Sequence, residues 1–229
     1  MKPYGKGYTS STSTGSKRAN ASPVTTRSTG QKKRRDAFIA WAEQRPDEVL
    51  LLWEDECWFS RFAQPRLKAW GQMRLEQRMV LPSTPDKAVS YYGVKRHDTG
   101  QLYLYPCWQR PNSDETIQLL QWVTLGARAL RKRVIVLIWD NASWHRGRKV
   151  TRWIRAYNRA AKRLGLPRLL VWSLPKRSPW LNPIEPHWMH AKKRVCEPSA
   201  QDLPKHQLQQ RVFHALNAKS VAALSQPVS

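Results

Sequence analysis

Two apolar runs that stop at acids constrain this chain more than any other feature. "EVLLLWEDECWF", residues 48–59, and "RVIVLIWDNA", residues 133–142, each pass through an unbroken apolar stretch of strand length before reaching a carboxylate. Unbroken rather than alternating apolar residues suit strands buried on both faces. A sheet covered on both faces needs helices on both sides, which is an α/β architecture. An acid at the carboxyl end of such a strand falls in the crevice where open α/β sheets carry their sites.

The rest of the chain fits around these runs. Phe38, Ile39 and Trp41 mark a short helical turn ended before Pro46, and residues 66–71, "RLKAWG", read as a short strand. "AVSYYGVKRHDTGQLYLYP" is a hairpin, with aromatic and β-branched residues on either side of a His-Asp-Thr-Gly turn. Asn112 or Ser113 caps a helix whose apolar positions are Ile117, Leu120, Val123, Ala127 and Leu130. A second amphipathic helix places Val150, Trp153, Ile154, Tyr157, Ala161 and Leu164 inward. "RLLVWSLP" is another strand, and helices near 186–196 and 204–218 follow. The expectation is a mixed five-stranded sheet flanked by helices over residues 36–220, after a basic, disordered arm at 1–35 and before a tail at 221–229. The arm contains no acid and reads equally as a solvated tail or as a DNA-binding segment.

Charge narrows the partners. Forty Lys and Arg against 16 Asp and Glu give +24, a field that draws in polyanions. Nucleic acid comes first, because each neutralised phosphate releases counterions; an anionic membrane surface comes second. No apolar run approaches the roughly 20 residues of a spanning helix. Cys57, Cys107 and Cys196 are far apart and odd in number, which reads as reduced thiols and a cytoplasmic setting.

The acids are scarce where the bases are dense. Between Glu115 and Glu197 the only acids are Asp140 and Glu185, and eleven Lys and Arg lie between those two. Asp140 ends its strand and reads equally as a site residue or as the start of an Asx turn. Asp55 is flanked by Glu54 and Glu56, and alternation along a strand points it to the opposite face from both. Glu185 taken alone reads as a capping-box residue, third in a helix capped by Asn182 with Pro183 first, although Pro186 removes an amide that the first turn would use. Taken together, three acids at two strand ends and one helix start repel one another unless cations bind. Oxygen ligands of this kind suit two Mg²⁺ or Mn²⁺, which activate a water or hydroxyl against a phosphodiester.

Three stretches, "LLLWEDECWFS", "VIVLIWDNASWH" and "LPKRSPWLNPIEPHW", resemble the signature blocks of mariner-like DDE transposases, especially those of bacterial insertion sequences. The resemblance covers roughly residues 46–200. It implies a ribonuclease-H-like fold and a catalytic, metal-binding triad of Asp55, Asp140 and Glu185. It also implies cleavage at the ends of a mobile element, followed by attack of the freed 3′-hydroxyl on target DNA. The partners implied are double-stranded DNA, both element ends and target, with a homodimer to join two ends and a nucleoid-associated location. Asn141 and His145 match positions near the site; His145 reads equally as a group that orients water or touches phosphate and as a histidine with a structural bond. The family carries helix-turn-helix modules that read the terminal repeats, and there is no room for a full set before Glu48. That leaves a catalytic fragment, a decayed copy or one product of a split frame working with a separate helix-turn-helix subunit.

The DNA-contacting residues are expected on two helices and one loop. Arg146, Arg148, Lys149, Arg152 and Arg155 form a basic face without interspersed acids. Lys176 and Arg177 precede the third block, and Lys192 and Lys193 follow it on the next helix. Two competing functions remain: a nuclease of the same fold that does not join strands, and a DNA-binding protein without chemistry.

Overall fold

The two apolar runs lie side by side as parallel strands at the centre of one sheet. A computed structural model of the chain describes residues 23–60, 88–107, 110–176, 178–195 and 204–225, with side chains from residue 29 onward. The strands are β1 Val49–Ser60, β2 Ala88–Arg96, β3 Leu102–Cys107, β4 Val134–Trp139, β5 Arg168–Ser173 and β6 Lys219–Ser220. The helices are α1 Pro23–Gln44, α2 Ser113–Ala129, α3 Arg148–Leu164, α4 Glu185–Val195 and α5 Lys205–Leu216. The sheet order is β5-β4-β1-β2-β3-β6. β1, β2 and β3 form an antiparallel meander, while β4 and β5 add parallel to the other edge of β1.

Each face of this sheet carries its own core. On one side Leu51, Trp53, Phe59, Tyr91, Val136 and Ile138 pack with Ile184, Trp188 and Ala191 of the α4 region and with Leu208 and Val212 of α5. On the other, Leu50, Leu52, Tyr92, Ile135 and Leu137 pack with Leu119, Leu120 and Val123 of α2 and with Val150 of α3. Residues 49–53 are all buried, so the continuous apolar run is the signature of a strand covered twice. The hairpin, the Asn112 cap and the amphipathic helices stand where the sequence puts them. The Asn112 side chain accepts from the N–H groups of Asp114 at 2.8 Å and Glu115 at 3.1 Å.

Several expectations change. Among the described residues the sheet has six strands, not five, because Lys219–Ser220 pairs parallel with Tyr103 and Leu104; two exposed polar residues carry no apolar period to announce a strand. The first helix begins at Pro23, inside the segment read as a disordered arm, and proline suits a first helical position. Leu164 is 69% exposed rather than inward, since it ends its helix just before Gly165 turns left-handed at φ 65°. The strand expected at residues 66–71 lies outside the described residues. No described helix is long and apolar enough to cross a membrane.

Candidate active site

β1 and β4 run parallel in register, with Leu52 beside Leu137 and Trp53 beside Ile138, so their acidic ends emerge together at one edge of the sheet. The chain leaves β5 through Leu174 and Pro175, makes a short 3₁₀ turn at Pro179–Leu181 and enters α4 at Glu185. Asp55, Asp140 and Glu185 thereby line one open cleft of about 390 Å³, together with Asn141, Lys176 and Asn182. The three acids named from the sequence therefore converge.

Each is held differently. The Trp188 indole Nε1 donates to Asp55 Oδ2 at 3.1 Å. That indole rests against Gly93 of β2, where a Cβ would come within 2.5 Å of the ring, so glycine is what lets Trp188 lie flat over the strand. Asp140 does make the Asx turn: the Ala142 N–H donates to its Oδ1 at 2.7 Å. The turn and the site are one arrangement, because the carboxylate still lines the cleft. The Asn141 side-chain amide donates to the Leu174 carbonyl and ties the end of β4 to the end of β5. Asn182 accepts from Ile184 N–H at 3.2 Å and donates to the Glu54 carbonyl at 3.1 Å. It thus pins the turn to β1 instead of forming a reciprocal box with Glu185. No hydrogen bond or ion pair engages the Glu185 carboxylate among the described residues, and α4 starts at that residue; a carboxylate there is favoured by the helix dipole.

The electrostatics follow from the crowding. Burial, then the neighbouring charges of Glu185 and Glu56, pushes the Asp55 carboxyl up to about 7, against the opposing Trp188 bond. Burial also works to raise Asp140, but the His145 side chain and the Ala142 N–H outweigh it and hold the carboxyl below its ordinary value. An all-oxygen donor set, with one carboxylate lacking any cationic partner among the described residues and another pushed upward by burial and by its acidic neighbours, fits a hard divalent cation such as Mg²⁺ or Mn²⁺.

His145 is the residue whose role the sequence could least assign. It is 2% exposed, so it touches neither bulk water nor phosphate. Its ring stacks on Trp139, centroids 4.3 Å apart and 6° from parallel. Nδ1 lies 3.2 Å from Asp140 Oδ1, and Nε2 lies 3.0 Å from Glu56 Oε1 and 3.4 Å from Glu54 Oε2. Burial alone would lower its pKa, yet the Glu54 charge and the contacts with Asp140 and Glu56 raise it to about 11. Glu54 is fully buried, and its own carboxyl is driven upward by burial and by Glu56. Glu54 and Glu56 are the residues a sequence reading passes over. The alternation that turns Asp55 one way turns both glutamates the other, and that was the signal available.

The basic residues divide into groups. Arg146, Arg148, Arg152 and Arg155 line a single exposed groove of about 460 Å³ with Thr151 and Arg159; Arg159 extends the stripe by one helical turn and was missed. Lys149 departs from that face and pairs with Asp114 at the start of α2, an acid close in space though far along the chain. Lys176 stands at the rim of the cleft. Lys192 and Lys193 are exposed on α4, with the Lys192 ammonium 5.6 Å from the Trp58 ring centre. Arg177 lies outside the described residues.

A meander of three strands extended by two parallel ones, with acids from two strand ends and one helix start in one cleft, is a ribonuclease-H-like fold. The chain belongs to the DDE superfamily endonucleases, whose family model matches residues 50–206. Among solved structures it is similar to the Mos1 transposase in a paired-end complex with the left transposon end. That match has a TM-score of 0.57 and 14% identity, over 96% of this chain and 62% of that one. It is also similar to the Mos1 mariner paired-end complex with Mn, with a TM-score of 0.55 and 14% identity, over 96% of this chain and 63% of that one. The chain thus spans less than two thirds of the length of these proteins. No curated protein matches it in sequence.

Proposed function

We propose that this chain is the catalytic domain of an insertion-sequence transposase, in which Asp55, Asp140 and Glu185 hold two Mg²⁺ or Mn²⁺ for cleavage and strand transfer on double-stranded DNA. The observation that carries the reading is the shared cleft of these three carboxylates in a chain of net charge +24. When bound, the ions supply an activated water or 3′-hydroxyl and neutralise charge on the leaving oxygen. The chain supplies position and field. Trp188 orients one Asp55 oxygen, and Asn182 fixes the turn that delivers Glu185. Lys176 at the rim draws a phosphate toward the cleft. The arginine groove along α3 offers a track for a duplex backbone, and sequence-independent phosphate contacts there position the DNA without reading it.

The catalytic unit is assigned more widely than the 36–220 read from the sequence, because a helix starts at Pro23 and the turn Val221–Ser225 buries Val221 and Leu224 in the core shared with α2. Recognition of element ends, a homodimer joining two of them and a separate helix-turn-helix subunit belong to the same proposal, as does a nucleoid-associated location in the cytoplasm. Mos1 is described in a paired-end complex with the left transposon end and in a paired-end complex with Mn, which supports the DNA and metal parts of the reading.

The test is a strand-transfer assay on a pre-cleaved end and a supercoiled target, with Mg²⁺ or Mn²⁺ and with EDTA. Joined products are expected with either ion and none with EDTA, and Asp140→Asn should abolish joining while DNA retention on a filter persists. Nicking without joining would replace transposase by nuclease. Equal activity with and without chelator would end the metal assignment.

A further inference from the structure

We infer that Glu54, Glu56 and His145 form a positioning device that locks the ends of β1 and β4 together and fixes the Asp140 carboxylate in the cleft. The inference rests on the active-site reading above and deepens it. Glu54 is wholly buried, and neither of its carboxylate oxygens has a hydrogen-bond donor. Burying a carboxylate on those terms is costly, and breaking such a group by removing one partner is costlier still. The imidazole ring lies 3.4 Å from it, and Glu56 reaches the same nitrogen at 3.0 Å. The opposite nitrogen of that ring contacts Asp140 at 3.2 Å. None of these contacts has the geometry of a directed hydrogen bond, so they act through close packing of polar groups.

The placement gives the device its purpose. One ring bridges two acids of β1 to one acid beyond β4, and the β1 acids flank Asp55 in sequence. A shift of either strand end relative to the other would separate Asp55 from Asp140 and break the bridge at the same moment. The ring itself cannot swing. It is stacked on Trp139, and the Trp144 ring meets it edge-on with centroids 6.2 Å apart. The Trp144 Nε1 donates in turn to Glu56 Oε1. Because His145 occupies the Oδ1 side of Asp140, as does the Ala142 N–H, the other oxygen is left for the cleft. Supporting groups of this sort around a metal ligand typically change metal affinity or activity 10–100-fold when removed.

Two glutamates and a histidine this close also have the donor spacing of a cation site. The positioning reading is preferred because the ring already contacts acids through both nitrogens and because aromatic rings wall it in.

The test measures Mn²⁺ binding through loss of the free-ion EPR signal, together with thermal unfolding, on the full chain. Asp140→Asn should lose Mn²⁺ from the cleft, which checks the underlying reading separately. His145→Ala should keep its circular-dichroism spectrum and bind Mn²⁺ about tenfold more weakly, with affinity restored by added imidazole entering the vacated space. A wild-type dissociation constant for His145→Ala, beside a disabled Asp140→Asn, overturns the inference and spares the active site. One fewer bound ion in His145→Ala, with the others unchanged in affinity, also overturns it, in favour of a cation site at the cluster. If His145→Ala does not fold, Glu54→Gln decides: it keeps the shape and replaces the carboxyl by an amide, so weakened Mn²⁺ binding supports the device and unchanged binding refutes it. Wild-type Mn²⁺ binding by Asp140→Asn would instead sink the active-site reading itself.

Discussion

The two faces of β1 at its acidic end treat chemically similar side chains in opposite ways. On one face Asp55 stands in an open cleft with Glu185, which has no cation beside it among the described residues. On the other, one residue away in either direction, Glu54 and Glu56 close around a buried imidazole. The first face is open to solvent and the second is closed around a histidine of the same chain. Carboxylates open to solvent are suited to take an external cation, whereas carboxylates packed on a buried ring are suited to hold structure. Strand alternation alone sorts three consecutive acids into these two jobs.

Substitutions can break this contrast or sharpen it. The largest effect is expected on the open face: Glu185→Gln should lower the rate of end cleavage by roughly 10³-fold or more, since each metal ligand is tied to several kcal/mol of transition-state charge stabilisation. Its melting temperature should be unaltered. Glu54→Ala should do the reverse of that in kind, costing about 3 kcal/mol in urea unfolding because it removes one acidic partner of the buried His145 ring and opens a hole beside it. Should Glu54→Ala melt like the wild type, the closed face is not a structural pairing.

Asp55→Asn gives a smaller and oppositely signed effect. The folded protein holds the Asp55 proton up to about pH 7, well above the ordinary aspartate value near 3.9. The folded state therefore binds that proton more tightly than the unfolded chain. Its stability falls as pH rises from about 4 to 7 and stays lowered above that. The asparagine variant escapes the penalty. In EDTA it should be more stable than wild type by on the order of 2 kcal/mol at pH 8, less than the full shift implies because the cleft is open to water. At pH 4 the gain should vanish, and Mg²⁺ should shrink it at pH 8 by stabilising only the wild type. The smallest effect is reserved for a site away from both faces. Arg152→Ala should reduce the slope of log affinity against log salt by about 0.9, leaving Mn²⁺ binding and melting unchanged.

What the sequence made legible tracks how local each signal was. β1 and β4 were readable because burial on both faces leaves no polar interruption, and the hairpin because its turn and its aromatic flanks are adjacent. The three cleft acids stood out by their isolation among bases. Three things were not readable. The pairing of Glu54 with His145 joins residues remote in the chain, and no spacing rule anticipates it. The pairing of Lys149 with Asp114 hides an acid opposite a face that looked purely basic. The sixth strand is two exposed polar residues recruited by the free edge of β3. The helix start at Pro23 did leave a trace, the Ser22-Pro23 pair, but a polar segment without apolar period outweighed it. The Asn182–Glu185 spacing matched a capping box, yet tertiary contacts redirected Asn182 to β1.

The seam between β1 and β4 has a consequence for how faithfully the molecule must assemble. Pairing runs from Val49 beside Val134 to Trp53 beside Ile138, and a strand displaced by a single residue exchanges its two sides. Such a misthreaded protein would present two glutamates to the solvent gap and bury the aspartate among tryptophans. It would keep much of its helix and sheet content and still be inert. In this chain, competence is encoded less by which acids are present than by parity, odd or even, counted along one strand.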